Sequence, residues 1–447
     1  YKRQLLFFLR CAMAKKSDAP QSKSEDHLKF IHTADLHLGS PFSGIAQMDE
    51  EVATLLSQAS YDAYEQIIET AIENEVDFLL ISGDVYESEN KKIIEQLKFH
   101  KGLERLDAAG IDVYIICGNH DPARGWSKEI QWPTSVHFLP DDKPEIQIFK
   151  KNGKELATIV GMSYRTNAIT DNLALRYPER ENSWPFTIGM LHCNLGTNTD
   201  HDPYSPCSIH DLTGKRYDYW ALGHIHKPSI IQESSPAIIY PGIPQGRDIG
   251  ESGLRGCYLV SVDADSNIQT EFIETAKVLW QEMEIPIDAA NTIHELRQEI
   301  ENSLEERRAE NPNGITICRV TLTGRGPVHR ELIKDGAKEG LLQFFMEQET
   351  ISDNAVLIER FIDTTSLPID REKIMQREDL IADIVAISEN IQTSGEVDEA
   401  LLKEIDVLFQ NYKVRKNLID ISEDEFVELV REAETYLLDN MISEDLS

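Results

Sequence analysis

Five times in this chain a short apolar run ends in a sharp turn, and then in one or two side chains able to bind a metal. "KFIHTADLHLG" sets Asp35 and His37 just past a strand, and "LLISGDVYE" does the same for Asp84. "YIICGNHDP" does it for Asn119 and His120, "GMLHCN" for His192, and "ALGHIHKP" for His224 and His226. Any one of these taken alone also suits an ordinary turn, where Asp bonds its own backbone and His is tolerated. The repetition is what constrains the fold. Open α/β sheets place their binding crevice outside the carboxyl ends of their strands. A chain with ligand-bearing turns at five strand ends can therefore gather them at one edge, although they are far apart in sequence.

The intervening sequence supports such a sheet. "LKFIHTA", "VDFLLISGD" and "IDVYIICGNHD" read as apolar strands. Between the first two, Leu55, Ala59, Ala63, Ile67 and Ala71 recur every four residues, the spacing of a helix. "KKIIEQLKFHKGLERLDAAG" reads as a second helix closed by glycine. Later strands "ELATIVGMSY", "FTIGMLHCN", "YDYWALGH", "AIIYPG" and "GCYLVSVD" follow with few helices between them, which predicts a second, more antiparallel sheet packed on the first. The expected fold is an α/β two-sheet sandwich flanked by helices. It spans residues 29–277, after an N-terminal tail at 1–28. A small α/β cap is expected at 278–364 and an acidic helical region at 365–447.

Composition narrows the function. The formal net charge is -34, which argues against a polyanion binder held by overall charge. No apolar run approaches the ~20 residues of a membrane span. The six cysteines are scattered, without a C-x-x-C pair, which suits reduced thiols and a cytoplasmic setting. The start "YKRQLLFFLRC" resembles a signal peptide only faintly, because Arg10 cuts the apolar run short. Residues 1–12 are expected to be non-native, with Met13 opening an ordinary polar tail.

Asp35, His37, Asp84, Asn119, His192, His224 and His226 supply carboxylate, imidazole and amide donors and no thiolate. That mixture suits Mn²⁺, Fe²⁺ or Zn²⁺ better than Ca²⁺. The set is too large for one tetrahedral ion and fits two divalent ions sharing a carboxylate. Two-metal sites of that kind clamp the attacking and leaving oxygens of a displacement at phosphorus.

The ordered motifs D-x-H, G-D, G-N-H-D, a lone H and G-H-x-H resemble those of the calcineurin-like metallophosphoesterases, over residues 29–274. The resemblance implies that one ion takes Asp35, His37, Asp84 and His226. The other would take Asp84, Asn119, His192 and His224, with Asp84 bridging. It implies that His120 is a non-ligand catalytic histidine that protonates the leaving oxygen or steadies the transition state, with Asp121 orienting it. "KFIHTADLHLGSPF", "YPGIPQGRDIGESG" and "RVTLTGRGPVHREL" resemble the DNA-repair exonuclease branch, the nuclease subunit of SbcCD-type complexes and YhaO-like relatives.

That branch implies a DNA exonuclease or endonuclease, most simply with Mn²⁺. It would work as a homodimer on double-stranded DNA ends, with an SMC-like ATPase docked on the C-terminal helices and no membrane. Arg247 and Gln245, just past the last metal motif, are candidate phosphate contacts. "DEALLKEIDVLFQNY" and a stripe of Phe426, Leu429, Val430 and Leu437 are candidate docking helices, or pack on their own domain. The competing reading keeps the chemistry but takes a small-molecule or phosphoprotein ester. A scaffold with decayed chemistry fits poorly, since all seven donors and His120 are present.

Overall fold

The structure is a computed structural model that describes residues 27–40, 50–88, 92–126, 130–196, 204–349, 352, 354–368, 371–394, 427 and 429–438. Three strands, β1 (Leu28–Thr33), β2 (Phe78–Ser82) and β3 (Asp112–Ile116), pair in parallel and extend to β4 (Val136–Phe138). Helix α1 (Glu50–Glu73) joins β1 to β2, and α2 (Ile93–Ala108) joins β2 to β3. Gly110 ends α2 at φ +74°, a left-handed position that costs a glycine little.

The strands bury both faces, which is why they read as unbroken apolar runs. Ile31, Leu79, Ile81, Val113 and Ile115 face the helices and meet Ile67, Phe99 and Leu103. Phe30, Phe78, Leu80, Tyr114 and Ile116 face the other way and meet Ile159, Ile188, Met190 and Tyr219 of the second sheet. Trp126 and Trp132 pack against the first of these cores.

The second sheet is built from β5 (Glu145–Lys151), β6 (Lys154–Gly161), β7 (Phe186–His192), β8 (Tyr219–Gly223), β9 (Ser229–Gln232) and β10 (Ala237–Tyr240), in the order β5-β6-β7-β8-β10-β9. Here the structure differs from the expected antiparallel sheet. β6, β7, β8 and β10 run parallel, and only the edge strands β5 and β9 are antiparallel. Among the described residues the crossovers hold short helical turns, at Leu173–Arg176 and α3 (Ile209–Thr213), and no long helix whose periodicity would mark them. The strand "GCYLVSVD" also belongs elsewhere. As β11 (Gly256–Val262) it returns to the first sheet antiparallel to β1, with Ile31 opposite Leu259, and β12 (Ile268–Glu274) lies outside it.

His32, in β1, is fully buried and joins the sheets. Its ring nitrogens bond Tyr219 Oη at 3.0 Å and the Leu222 carbonyl at 3.1 Å. Ser82 Oγ donates to the Ala221 carbonyl at 3.0 Å. These bonds register the carboxyl ends of β1 and β2 against that of β8.

The chain divides into two compact units, one of Tyr1–Glu282, Arg308–Cys318 and Glu349–Glu359, the other of Met283–Arg307, Arg319–Gln348 and Arg360–Ser447. In the first, Val278 and Trp280 of β13 (Val278–Pro286) pack with Val52, Leu56, Ile315 and Ile317. In the second lie most of α4 (Ile293–Glu310), α5 (His329–Leu332), α6 (Ala337–Gln348), α7 (Arg371–Met375) and α8 (Leu380–Ser394). β14 (Ile315–Thr323) and β15 (Val356–Asp363) complete a three-stranded sheet with β13.

Leu438 packs with Ile374, Ile381 and Val385, while Leu429 and Leu437 stay largely exposed. The segment 398–412 and Phe426, read above as docking elements, lie outside the described residues. Among the described residues no helix is long and apolar enough to cross a membrane.

Candidate metal centre

Four ligand-bearing turns follow the carboxyl ends of β1, β2, β3 and β8, His192 is itself the last residue of β7, and the structure brings these side chains together. The turns are tied to one another through backbone. Asp35 donates its N–H to the Gly83 carbonyl at 2.9 Å, and His37 donates to the Asp84 carbonyl at 3.1 Å. Asp35, His37, Asp84 and His224 all have positive φ, at 52°, 42°, 51° and 96°. Such conformations cost a non-glycine residue about 1–3 kcal/mol each and persist where the surroundings over-determine them. The doubly buried strands beneath supply that rigidity.

The donors form two meeting points. At the first, His37 Nε2 and His226 Nε2 face each other at 3.2 Å. Each ring has its other nitrogen near a carboxylate: His226 Nδ1 is hydrogen-bonded to Glu251 Oε1 at 2.6 Å, and His37 Nδ1 lies 2.8 Å from Glu87 Oε2, at ion-pair distance but without hydrogen-bond alignment. With the protons on the Nδ1 atoms, both Nε2 atoms carry lone pairs. Two lone pairs that close repel unless a proton or a cation lies where they meet. Burial holds His37 down at about 4, so its ring is neutral at physiological pH. Asp35 completes this group of donors.

At the second meeting point, His192 donates Nδ1–H to the Ser82 carbonyl at 2.9 Å and turns Nε2 to Asn119 Oδ1 at 3.0 Å and Asp84 Oδ2 at 3.3 Å. Burial alone would lower the His192 pKa. The Asp84 carboxylate overcomes this and lifts it to about 9, so a proton sits among these acceptors unless a metal replaces it. Burial opposes ionisation of Asp84 too, but His192 and His37 hold its carboxyl well below the usual range. Asp35 is pushed up to about 6, chiefly by burial. Asp84 stands between the two points, 3.9 Å from His37 Nε2. His224 lies beside the second, its ring centroid 5.2 Å from that of His192, and its backbone N–H is donated to the Asp35 carboxylate.

The donor set fits two divalent cations. Asp35, His37 and His226 would hold one; Asn119, His192 and His224 would hold the other, with Asp84 between them. Bound ions of this kind supply a Lewis acid and lower the pKa of water, so that hydroxide is available near neutral pH. Glycines keep the space open. A Cβ on Gly118 would run into the Asp84 carboxylate and come within 2.8 Å of His192 Cε1. Gly118→Ala is therefore expected to destabilise the chain by about 1–3 kcal/mol and to weaken Mn²⁺ binding. Thermal melts and a calorimetric Mn²⁺ titration check the two effects.

His120 stands beside this cluster, half-exposed, its ring centroid 4.8 Å from that of His37. It donates Nδ1–H to the Glu87 carbonyl at 2.9 Å, and its backbone N–H donates to Asp84 Oδ1 at 2.9 Å. Nε2 is then the atom available for proton transfer. The Asp121 carboxylate accepts N–H bonds from Gly118 and Val85, both at 3.0 Å, and so staples the two loops that carry Asn119 and Asp84.

The two residues read as phosphate contacts are used inside the chain. Gln245 is buried, its amide bonded to the backbone of Gly246, Lys277 and Val278. Arg247 lies between Glu87 and Glu251, with Nη1 2.7 Å from Glu87 and Nη2 2.8 Å from Glu251. Neither glutamate was singled out by sequence reasoning. The available signal was weak: one follows Asp84 in "GDVYE" and the other follows Arg247 in "RDIGE".

Two regions of the chain resemble known proteins. Residues 28–228 match the calcineurin-like phosphoesterase family, and residues 280–366 match the middle domain of metallophosphoesterase YhaO. The chain is 38% identical over 339 residues to an uncharacterized metallophosphoesterase, YhaO, of Bacillus subtilis (strain 168), covering 76% of this chain and 82% of that one. It is 26% identical to the DNA double-strand break repair protein Mre11 of Sulfurisphaera tokodaii, covering 69% of this chain and 76% of the relative. It is 22% identical to one subunit of the nuclease SbcCD of Bacillus subtilis, covering 51% of this chain and 64% of that subunit. With the ligand-bearing strand ends of the sandwich in place and this likeness across both regions, the chain belongs to the calcineurin-like metallophosphoesterases, in the YhaO family.

Proposed function

We propose that this chain is a Mn²⁺-dependent phosphodiesterase that cuts DNA, a repair nuclease subunit that acts at double-stranded ends with an SMC-like ATPase. The observation that carries the reading is the pair of meeting points bridged by Asp84, with His120 beside them: a site for two cations and a proton donor, as phosphodiester hydrolysis requires. The choice of DNA rests on the names of the relatives at 26% and 22% identity. The net charge of -34 supports a partner, because a chain so acidic needs help to hold a polyanion. The homodimer and the cytoplasmic setting belong to the same proposal.

One observation favours a smaller or protein-borne phosphate ester. Arg247, read from sequence as a phosphate contact, is paired with two glutamates. Incubation with Mn²⁺ and linear duplex DNA, bis(p-nitrophenyl) phosphate or a phosphoserine peptide separates the readings. Digestion of the duplex at a rate above that of the two small esters is expected. Hydrolysis of a small ester with the duplex left intact would move the substrate to the second reading.

A further inference from the structure

An unbroken run of polar contacts surrounds the first meeting point without containing a metal ligand other than its two ends. It passes from His37 to Glu87, Arg247, Glu251 and His226. Arg247 Nη1 donates to the Glu87 oxygen that also faces His37 Nδ1. On the other side Arg247 uses three donors on Glu251: Nη2 to Oε1 at 2.8 Å, Nε to Oε2 at 3.2 Å and its own backbone N–H to Oε2 at 2.8 Å. Glu251 Oε1 then faces His226 Nδ1. A planar guanidinium can bridge two carboxylates in this way and an ammonium cannot match the fork.

The ends of the run are fixed from behind. Arg255 Nη1 donates to the His226 carbonyl at 2.6 Å and Nε to the Glu251 carbonyl at 2.9 Å. Trp280 Nε1 donates to the Gly246 carbonyl, which precedes Arg247. Glu87 serves twice, since its carbonyl accepts from His120 Nδ1. Two carboxylates against one guanidinium leave the run one negative charge in excess, which favours a cation at the Nε2 atoms.

We propose that Glu87, Arg247 and Glu251 are the positioning clamp of the metal centre: they fix His37 and His226 with Nε2 turned to one shared cation, and Arg247 acts on metal binding instead of on substrate. The proposal rests on the two-cation reading of the site and is independent of whether DNA is the substrate. Partners that orient metal-bound histidines typically change metal affinity 10–100-fold when removed.

The test uses the full chain, stripped with a chelator and titrated with Mn²⁺ by calorimetry, as wild type, Arg247→Ala, Arg247→Lys and Glu251→Gln. In parallel, KM for bis(p-nitrophenyl) phosphate is measured at saturating Mn²⁺. Arg247→Ala is expected to weaken one of two Mn²⁺ ions by about 10–100-fold, to leave the other in place and to leave KM within about twofold. Arg247→Lys should recover only part of the loss. Glu251→Gln, nearly the same size, should weaken the same ion and carries the test should Arg247→Ala fail to fold. Wild-type Mn²⁺ binding in both variants, with a raised KM for Arg247→Ala, overturns the clamp and returns Arg247 to the substrate. A wild type that takes up no Mn²⁺ overturns the metal centre and the clamp together.

Discussion

Asp84→Asn is expected to empty the metal centre, taking Mn²⁺ from two ions per chain to one or none and abolishing hydrolysis. The carboxylate serves both meeting points, 3.3 Å from His192 Nε2 and 3.9 Å from His37 Nε2, and its Oδ1 holds the His120 N–H. An amide of the same shape keeps the oxygen that accepts from His120 but removes the charge that draws cations. Mn²⁺ affinity should fall at least 100-fold, beyond the range typical of partners that only orient a ligand.

The metal-free protein should also respond. His192 is lifted to about 9 because Asp84 faces it, so breaking the buried pair removes stability that wild type has below that value. The sign follows from linkage: a histidine with a raised folded pKa gives its full contribution below its unfolded pKa, about 6.5, and loses it as pH rises through the folded value. The destabilisation from Asp84→Asn should therefore be greatest near pH 6 and shrink towards pH 9. Chelator-treated protein melted across that range checks this. Two ions retained per chain would sink the assignment of Asp84 as the shared ligand.

The seven candidate ligands were legible in sequence because each follows an apolar run, and strand ends of parallel sheets converge. Short strands buried on both faces read as unbroken apolar runs, which marks the strands but not their direction: β7, β8 and β10 are as buried as β2 and run parallel where a more antiparallel sheet was expected. The sheet pairing of "GCYLVSVD" was not legible, since pairing with β1 depends on which edge of the sandwich lies open, and no local pattern encodes that. His32 shows the limit from the other side. It is as buried as His37, yet it bonds Tyr219 and Leu222 between the sheets. Only its place inside β1, ahead of the turn, separates the two in sequence. Glu87 and Glu251 were illegible as functional residues because their task is to face other side chains, and a glutamate in a turn has no spacing that announces a histidine partner. Arg247 illustrates the same loss. A basic residue after a glycine-rich turn looks like a phosphate contact until the acids that pair with it are placed.

His120→Ala should leave both cations bound and remove most of the hydrolysis of a poor leaving group. The side chain donates Nδ1–H to the Glu87 carbonyl, so in its imidazolium form Nε2–H is the proton it hands to a departing oxygen, leaving the neutral Nδ1–H ring. A positioned general acid contributes about 10²–10⁴-fold. The loss should depend on what leaves. An alkoxide from a sugar is strongly basic and needs the proton, whereas p-nitrophenolate is weakly basic and departs without one. On duplex DNA the variant is therefore expected to lose about 10²–10⁴-fold in kcat, and on bis(p-nitrophenyl) phosphate about tenfold or less, with Mn²⁺ affinity within about threefold of wild type. An equal loss on both esters would assign His120 to charge stabilisation in place of proton donation. A loss of Mn²⁺ would instead make it a ligand, a role its closeness to His37 and Asp84 also allows. The split between the two esters thus decides among three roles that the geometry places within a few ångströms of one another.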